Sequence, residues 1–155
     1  MAGSFDVDVS EVTALAVRLG NQQVLERHLV RGTRQAGFIV EGNAKVEAPT
    51  DTGNLKGHIR TGAPKHSGTR TSVEVTSHAE YSAAVHDGRK AIVRTQAQGP
   101  LAWADPTAKK GVRFTMTTKA VPANKYMDRG LKESEKQITQ VIDRSVGEAM
   151  KELGL

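Results

Sequence analysis

From Val24 to Val46 the apolar positions recur every three or four residues: Val24, Leu25, Leu29, Ala36, Ile39, Val40 and Val46 form one stripe. That spacing is one face of an α-helix. The helix is expected to restart at Asn21, after a stop at Gly20, and to end at Ala48. Pro49 disfavours helical backbone in the residue before it. A shorter helix is expected ahead of it, with Asp8 or Ser10 as N-cap and Val9, Val12, Leu15, Ala16 and Leu19 on one side. Gly32, Gly37 and Gly42 lie inside the long helix, each at a cost of up to about 1 kcal/mol against alanine. Either another backbone packs closely on that face, or the helix is loosely formed.

Past the turn Pro49-Thr50-Asp51-Thr52-Gly53 the period becomes two. Leu55, Gly57 and Ile59 alternate, as do Thr71, Val73 and Val75. These predict strands joined by a polar loop, Thr61 to Gly68. Tyr81, Ala83 and Val85 fit a short strand or one helical turn, and His86-Asp87-Gly88 a further turn. Three more extended stretches follow: Ala91 to Thr95, Pro100 to Ala104 and Gly111 to Thr118. The last two are joined by a link with the composition of a hairpin loop. Near Tyr126 the helical period returns, with Met127, Leu131, Ile138, Val141, Ile142, Ser145, Ala149 and Leu153 on one side. The order predicts an α+β fold in one domain, residues 1–155. N-terminal helices and a C-terminal helix cover one face of a mostly antiparallel sheet that carries a long β-hairpin.

Composition narrows the function. The chain has 155 residues, no cysteine and few aromatic residues. Disulfides, thiolate metal sites and thiol catalysis are therefore excluded. No apolar run reaches the roughly 18 residues needed to span a bilayer. Met1 to Ser10 is acidic and mixed, unlike a signal peptide, so a cytoplasmic protein is expected unless something larger carries it out. The formal charge is +5, with 10 basic and 4 acidic residues between Arg60 and Lys119. Such a bias serves a nucleic acid, serves an acidic protein partner, or is simply solvated.

A search for catalytic groups yields little. His78-Ala79-Glu80 resembles the first half of a zinc-deaminase signature, but the cysteines that must complete it are missing. His78 and His86 have no companion at metal-ligand spacing. There is no Gly-x-Ser-x-Gly elbow and no phosphate loop. Asp6 and Asp8 form a lone carboxylate pair in a terminal strand or turn. No enzyme activity, metal or cofactor is expected. A dedicated DNA-binding role is the rival reading, but the aromatic residues are not interleaved with the basic ones as a stacking surface requires.

Three segments, in order, resemble one family. Ala48-Pro49-Thr50-Asp51-Thr52-Gly53-Asn54-Leu55-Lys56-Gly57-His58-Ile59, after a long helix, is similar to the signature of tailed-phage head–tail joining proteins, also called neck or tail-completion proteins. Ala79 to Gly88 resembles that family's Tyr-Ala-x-x-Val-Glu-x-Gly segment, with His86 where an acidic residue is usual. Pro122 to Leu131 resembles the opening of its last helix, with Tyr126 for the usual phenylalanine. Without the family, these residues still have fold-making roles. Pro49 stops the helix, Asp51 or Thr52 bonds turn amides, Gly53 takes a positive φ, and Leu55 begins a core-facing strand.

The resemblance implies a non-enzymatic virion protein, assembled in the bacterial host cytoplasm and placed at the head–tail interface. It implies a homo-oligomeric ring, a hexamer by analogy with phage tails, between head connector proteins and the tail tube protein. DNA would pass through without specific binding, and no membrane is involved. Within that reading Trp103, Lys109, Lys110 and Arg113 on the hairpin are the candidates for subunit or partner contact. A cytoplasmic DNA-binding or assembly factor is the alternative.

Overall fold

A computed structural model describes residues 2–8, 10, 11, 14, 17, 22–50, 53–68, 70–95, 98, 100–104 and 112–154. The long apolar stripe folds as helix α1, Gln22–Glu47. It buries Leu25, Leu29, Gly32, Thr33, Ala36, Gly37, Val40 and Ala44. Val46, expected on this stripe, is 75% exposed, because the buried face follows Val40 and Ala44 and leaves Val46 on the far side. Of the shorter preceding helix, Ser10, Glu11, Ala14 and Val17 are helical. Val9, Val12, Leu15, Ala16 and Leu19 lie outside the described residues.

The chain forms two compact units. The first comprises Met1–Ser82 and Lys125–Leu155. Its sheet is built on β4, Arg70–Ser77. The strand β1, Ala2–Asp8, runs antiparallel along one side of β4, pairing Phe5 with Val73. On the other side lie β2, Ile59–Thr61, and β3, Lys65–Ser67, also antiparallel. The register steps by one residue between Thr61↔Val75 and Lys65↔Ser72, so β2 and β3 are one edge strand broken at Gly62, Ala63 and Pro64. The expected loop from Thr61 to Gly68 thus contains a strand. Along β4, Thr71, Val73, Val75 and Ser77 are buried and Arg70 and Glu74 are exposed. This is the alternation of a half-covered antiparallel sheet, with α1 on the covered face.

One strand expectation fails. Asn54–Gly57 is a helical turn, α2. Leu55, 3% exposed, is buried from this turn, and Ile59, four residues on, from the start of β2. Gly53 just before it has φ +74, as its place in the turn requires. Asp51 and Thr52 lie outside the described residues.

The C-terminal helix α4, Tyr126–Glu152, lies antiparallel against α1. His28 meets Glu152, Gly32 meets Ser145, Asn43 meets Ser134, and Glu47 meets Arg129. The contact stripe of α4 is made of small residues: Gly130, Ser134, Ser145 and Ala149, with Val141. A Cβ on Gly130 would stand 2.6 Å from both the Cα and the N of Ala44. The backbones therefore touch, which accounts for the small residues on both sides. Ser134 Oγ donates to Gly130 O at 2.6 Å and accepts from Asn43 Nδ2 at 2.9 Å. Ser145 Oγ donates to Val141 O at 2.9 Å. Such bonds let hydroxyls sit buried without an orphaned donor. Leu131, Ile138, Ile142 and Leu153, expected on the buried side, are only partly buried. At the N-terminal end of α4, Tyr126 and Met127 are buried.

Close packing, of side chains rather than of another backbone, explains Gly32, against Ser145, and Gly37, against Thr61 and Val73. It does not explain Gly42, where a Cβ would meet nothing within 4 Å. No helix among the described residues is long and apolar enough to cross a membrane.

Candidate functional site

The second unit, Ala83–Asn124, holds most of the second family-like segment and all of the long hairpin. Tyr81, Ala83 and Val85 resolve in favour of a helical turn: α3 spans Ser82–Asp87. Gly88 follows with φ +76, and a Cβ there would stand 2.7 Å from Val121 O and 2.8 Å from Ala123 N. Only glycine fits on both counts. The closure brings Arg89 into a bridge with Val121 and lets Asn124 N donate to Val85 O at 3.0 Å. The residues of the second segment thus grip the start of the third.

From this base a two-stranded ribbon runs out. Strand β5, Ile92–Val93, pairs with β8, Thr117–Thr118. Further along, β6, Leu101–Ala104, pairs with β7, Val112–Thr115. All pairs are antiparallel, as a hairpin demands. Between the two ladders, Arg94 N donates to Met116 O at 2.8 Å. Among the described side chains of the arms, 89–102 and 115–121, none is buried, and Ile92 and Val93 are 38% and 73% exposed. A two-stranded ribbon with no covered face is marginally stable in water. Of its apolar side chains, the described Ile92 and Val93 are left exposed.

The sequence candidates fall here in part. The register sets Trp103 directly opposite Arg113, and Ala102 opposite Phe114. Lys109 and Lys110, and the hairpin loop expected around them, lie outside the described residues.

Charge is divided sharply. Seven of the 22 Lys and Arg residues and two of the 17 Asp and Glu residues belong to 83–124. That unit is therefore +5, the formal charge of the whole chain, and the other unit holds fifteen of each sign.

The first unit has charged features that sequence reading passed over. Glu41 of α1 accepts from Thr61 N at 2.7 Å, lies 2.8 Å from Thr61 Oγ1, and pairs with Lys45. Burial works to raise its pKa, but the hydrogen bonds from Lys45 and Thr61 prevail and hold it below the usual carboxylate value. This bond set ties α1 to β2. At the other end of α1, His28 and Arg27 hydrogen-bond the Glu152 carboxylate and lower its pKa. Arg27, Arg31 and Arg34 form a row along α1 at helical spacing and line a shallow open groove of about 630 Å³ with Val30 and Pro64. Arg34 lies over the half-exposed Phe38 ring, 5.7 Å from its centroid. The row is visible in the sequence once the buried face of α1 is known.

The histidines have local roles. His78 hydrogen-bonds Thr76 Oγ1 at 3.1 Å, and His86 is buried with Nδ1 3.0 Å from Asp87 Oδ1. Among the described residues no group of three or more His, Asp or Glu is placed to hold a metal ion. Asp6 is exposed on β1.

No curated protein and no solved structure matches the chain. Residues 19–88, just under half of the chain and including the first two of the three family-like segments, match the model of the HK97-gp10-like family, described as "Bacteriophage HK97-gp10, putative tail-component".

Proposed function

We propose that this chain is a structural subunit of a tailed-phage virion, one copy in a closed ring at the joint between head and tail. The match of residues 19–88 to a phage tail-component family carries the reading. The two-stranded ribbon of the second unit supports an assembling subunit, because its described apolar side chains Ile92 and Val93 are exposed. Identical subunits in head-to-tail contact close into a ring when the rotation permits. Trp103 and Arg113 serve contact between neighbours. Lys109 and Lys110 face an acidic surface of the adjoining layer, with head connector proteins on one side and the tail tube protein on the other. DNA passes through the ring without being held, since tight phosphate attraction would oppose its passage.

Light scattering and negative-stain microscopy of the purified protein, with microscopy of virions carrying a tagged copy, test this. The expected result is a ring, with the tag at the neck. A protein that stays monomeric and is absent from virions overturns it. The concentration of +5 in one unit also suits a DNA-binding assembly factor. Tight duplex binding at physiological salt, lost in a Lys109→Glu/Lys110→Glu variant, would favour that reading instead.

A further inference from the structure

The sheet of the first unit has two edges of opposite charge. β4 lies between them, so they are two strand spacings apart, roughly 10 Å. One edge is β1. The first 17 residues contain Asp6, Asp8 and Glu11 and no Lys or Arg. Asp8 stands opposite Arg70 in register, Asp6 opposite the neutral Ser72. Asp6 and, after the strand, Glu11 are exposed. The other edge is β2–β3, where the Arg60 and Lys65 side chains are 58% and 71% accessible. The flank of α1 beside it adds the row Arg27, Arg31 and Arg34 above Pro64. Arg31 and Arg34 have no carboxylate within ion-pair distance among the described residues.

We propose that these edges recognise each other between copies: the basic α1/β2–β3 edge of one subunit docks on the acidic β1 edge of the next. The inference rests on the ring reading and names its interface. An edge meeting its own twin would set like charges together, so the contact is heterologous, the kind that generates rings. Backbone pairing does not drive it. Pro64 lacks an N–H and the register step interrupts the β2–β3 edge, which prevents a continuous ladder with an added strand. Recognition falls to side-chain charge, which sets encounter and partner choice. A polyanion is the poorer occupant of the basic edge. Glu26 lines the same groove, and Glu41, Glu152 and Glu74 lie against Arg60, Arg27 and Lys65, so among these residues only Arg31 and Arg34 lack a carboxylate partner, too few for a phosphate chain to follow.

The test is charge reversal read by sedimentation or light scattering, with circular dichroism to verify folding. All four positions are exposed, so the variants should fold. Arg31→Glu/Arg34→Glu, and separately Asp6→Lys/Glu11→Lys, should each weaken self-association by roughly tenfold or more. The chain with all four changes should recover it, because complementarity is restored with the signs exchanged. Wild-type assembly should also weaken as salt rises. If wild type assembles and the reversals leave assembly unchanged, this interface is wrong and the ring reading stands. If wild type never assembles, both fall. Loss in each pair without recovery in the fourfold variant also overturns the proposal.

Discussion

Gly130 and Ala44 meet backbone to backbone, so closely that a single methyl on Gly130 would sit 2.6 Å from the Ala44 Cα. Glycine to alanine inside a helix ordinarily stabilises, by up to about 1 kcal/mol. Here the sign should reverse. The obstructing atoms belong to the facing main chain and cannot rotate away, and overpacking costs about 1–3 kcal/mol. Gly130→Ala is expected to lower the denaturation midpoint. Gly42→Ala, with open space around its Cβ, should raise it by the ordinary helical gain. Equal shifts in the same direction would show that the helices are not in contact at Gly130.

Glu41 gives a pH signature. Its folded pKa is lowered from 4.5, so the ionised form is the one the fold favours. The stability it adds is complete above the ordinary carboxylate value and is lost as pH falls through the folded pKa. Glu41→Gln should therefore be less stable than wild type at neutral pH and show a shallower loss between neutral and acid. Denaturant titrations at several pH values measure both slopes. Parallel slopes would mean the Lys45 and Thr61 bonds do not favour the charged form.

Gly88→Ala joins a positive φ to a blocked Cβ. Both effects oppose it, and a loss exceeding about 1 kcal/mol is expected. The damage should be confined to residues 83–124. Limited proteolysis should cut there first, while the helical signal, which comes chiefly from α1 and α4, persists. Simultaneous loss of helix would show that the two units do not unfold separately.

Trp103→Ala removes the largest side chain of the ribbon. Aromatic anchors tend to dominate interface energy, so loss of assembly with retained helix content is expected. Lys109→Glu/Lys110→Glu should leave the subunit folded and assembled but impair head–tail joining, as scored by infectious particle yield. Full infectivity in that variant would remove the joining role from the loop.

Much of this architecture is legible in the residues. Pro49 and the three-to-four spacing mark α1, and the return of that spacing at Tyr126 marks α4. What hides is contact made by small residues. Gly130, Ser134 and Ser145 carry little hydrophobic signal, so the apolar period of α4 points beside its buried face, toward Leu131, Ile138 and Ile142. Val46 fits the stripe of α1 arithmetically and is exposed nonetheless. Leu55 and Ile59 satisfy both a period of two and a period of four, and five residues cannot separate them. The basic bias of the middle region is plain in composition. Its confinement to 83–124 needs the chain's partition into units, which no linker-like composition announces. Of the contact candidates, the register places Trp103 beside Arg113. The arginine row on α1 escapes notice because its residues are interleaved with Leu29, Gly32 and Thr33 of the buried face.

The α1–α4 pair has a mechanical consequence. Each helix is roughly 40 Å long, and small residues bring them to near backbone contact at Gly130 and Ala44, while Leu25 and Leu29 pack on Ala149 at the other end. Short side chains have few rotamers through which to yield, and a close-packed interior is hardly compressible. Bending or sliding one helix must therefore move the other. The pair behaves as a single stiff beam, able to transmit an axial load along its whole length with little loss to side-chain rearrangement.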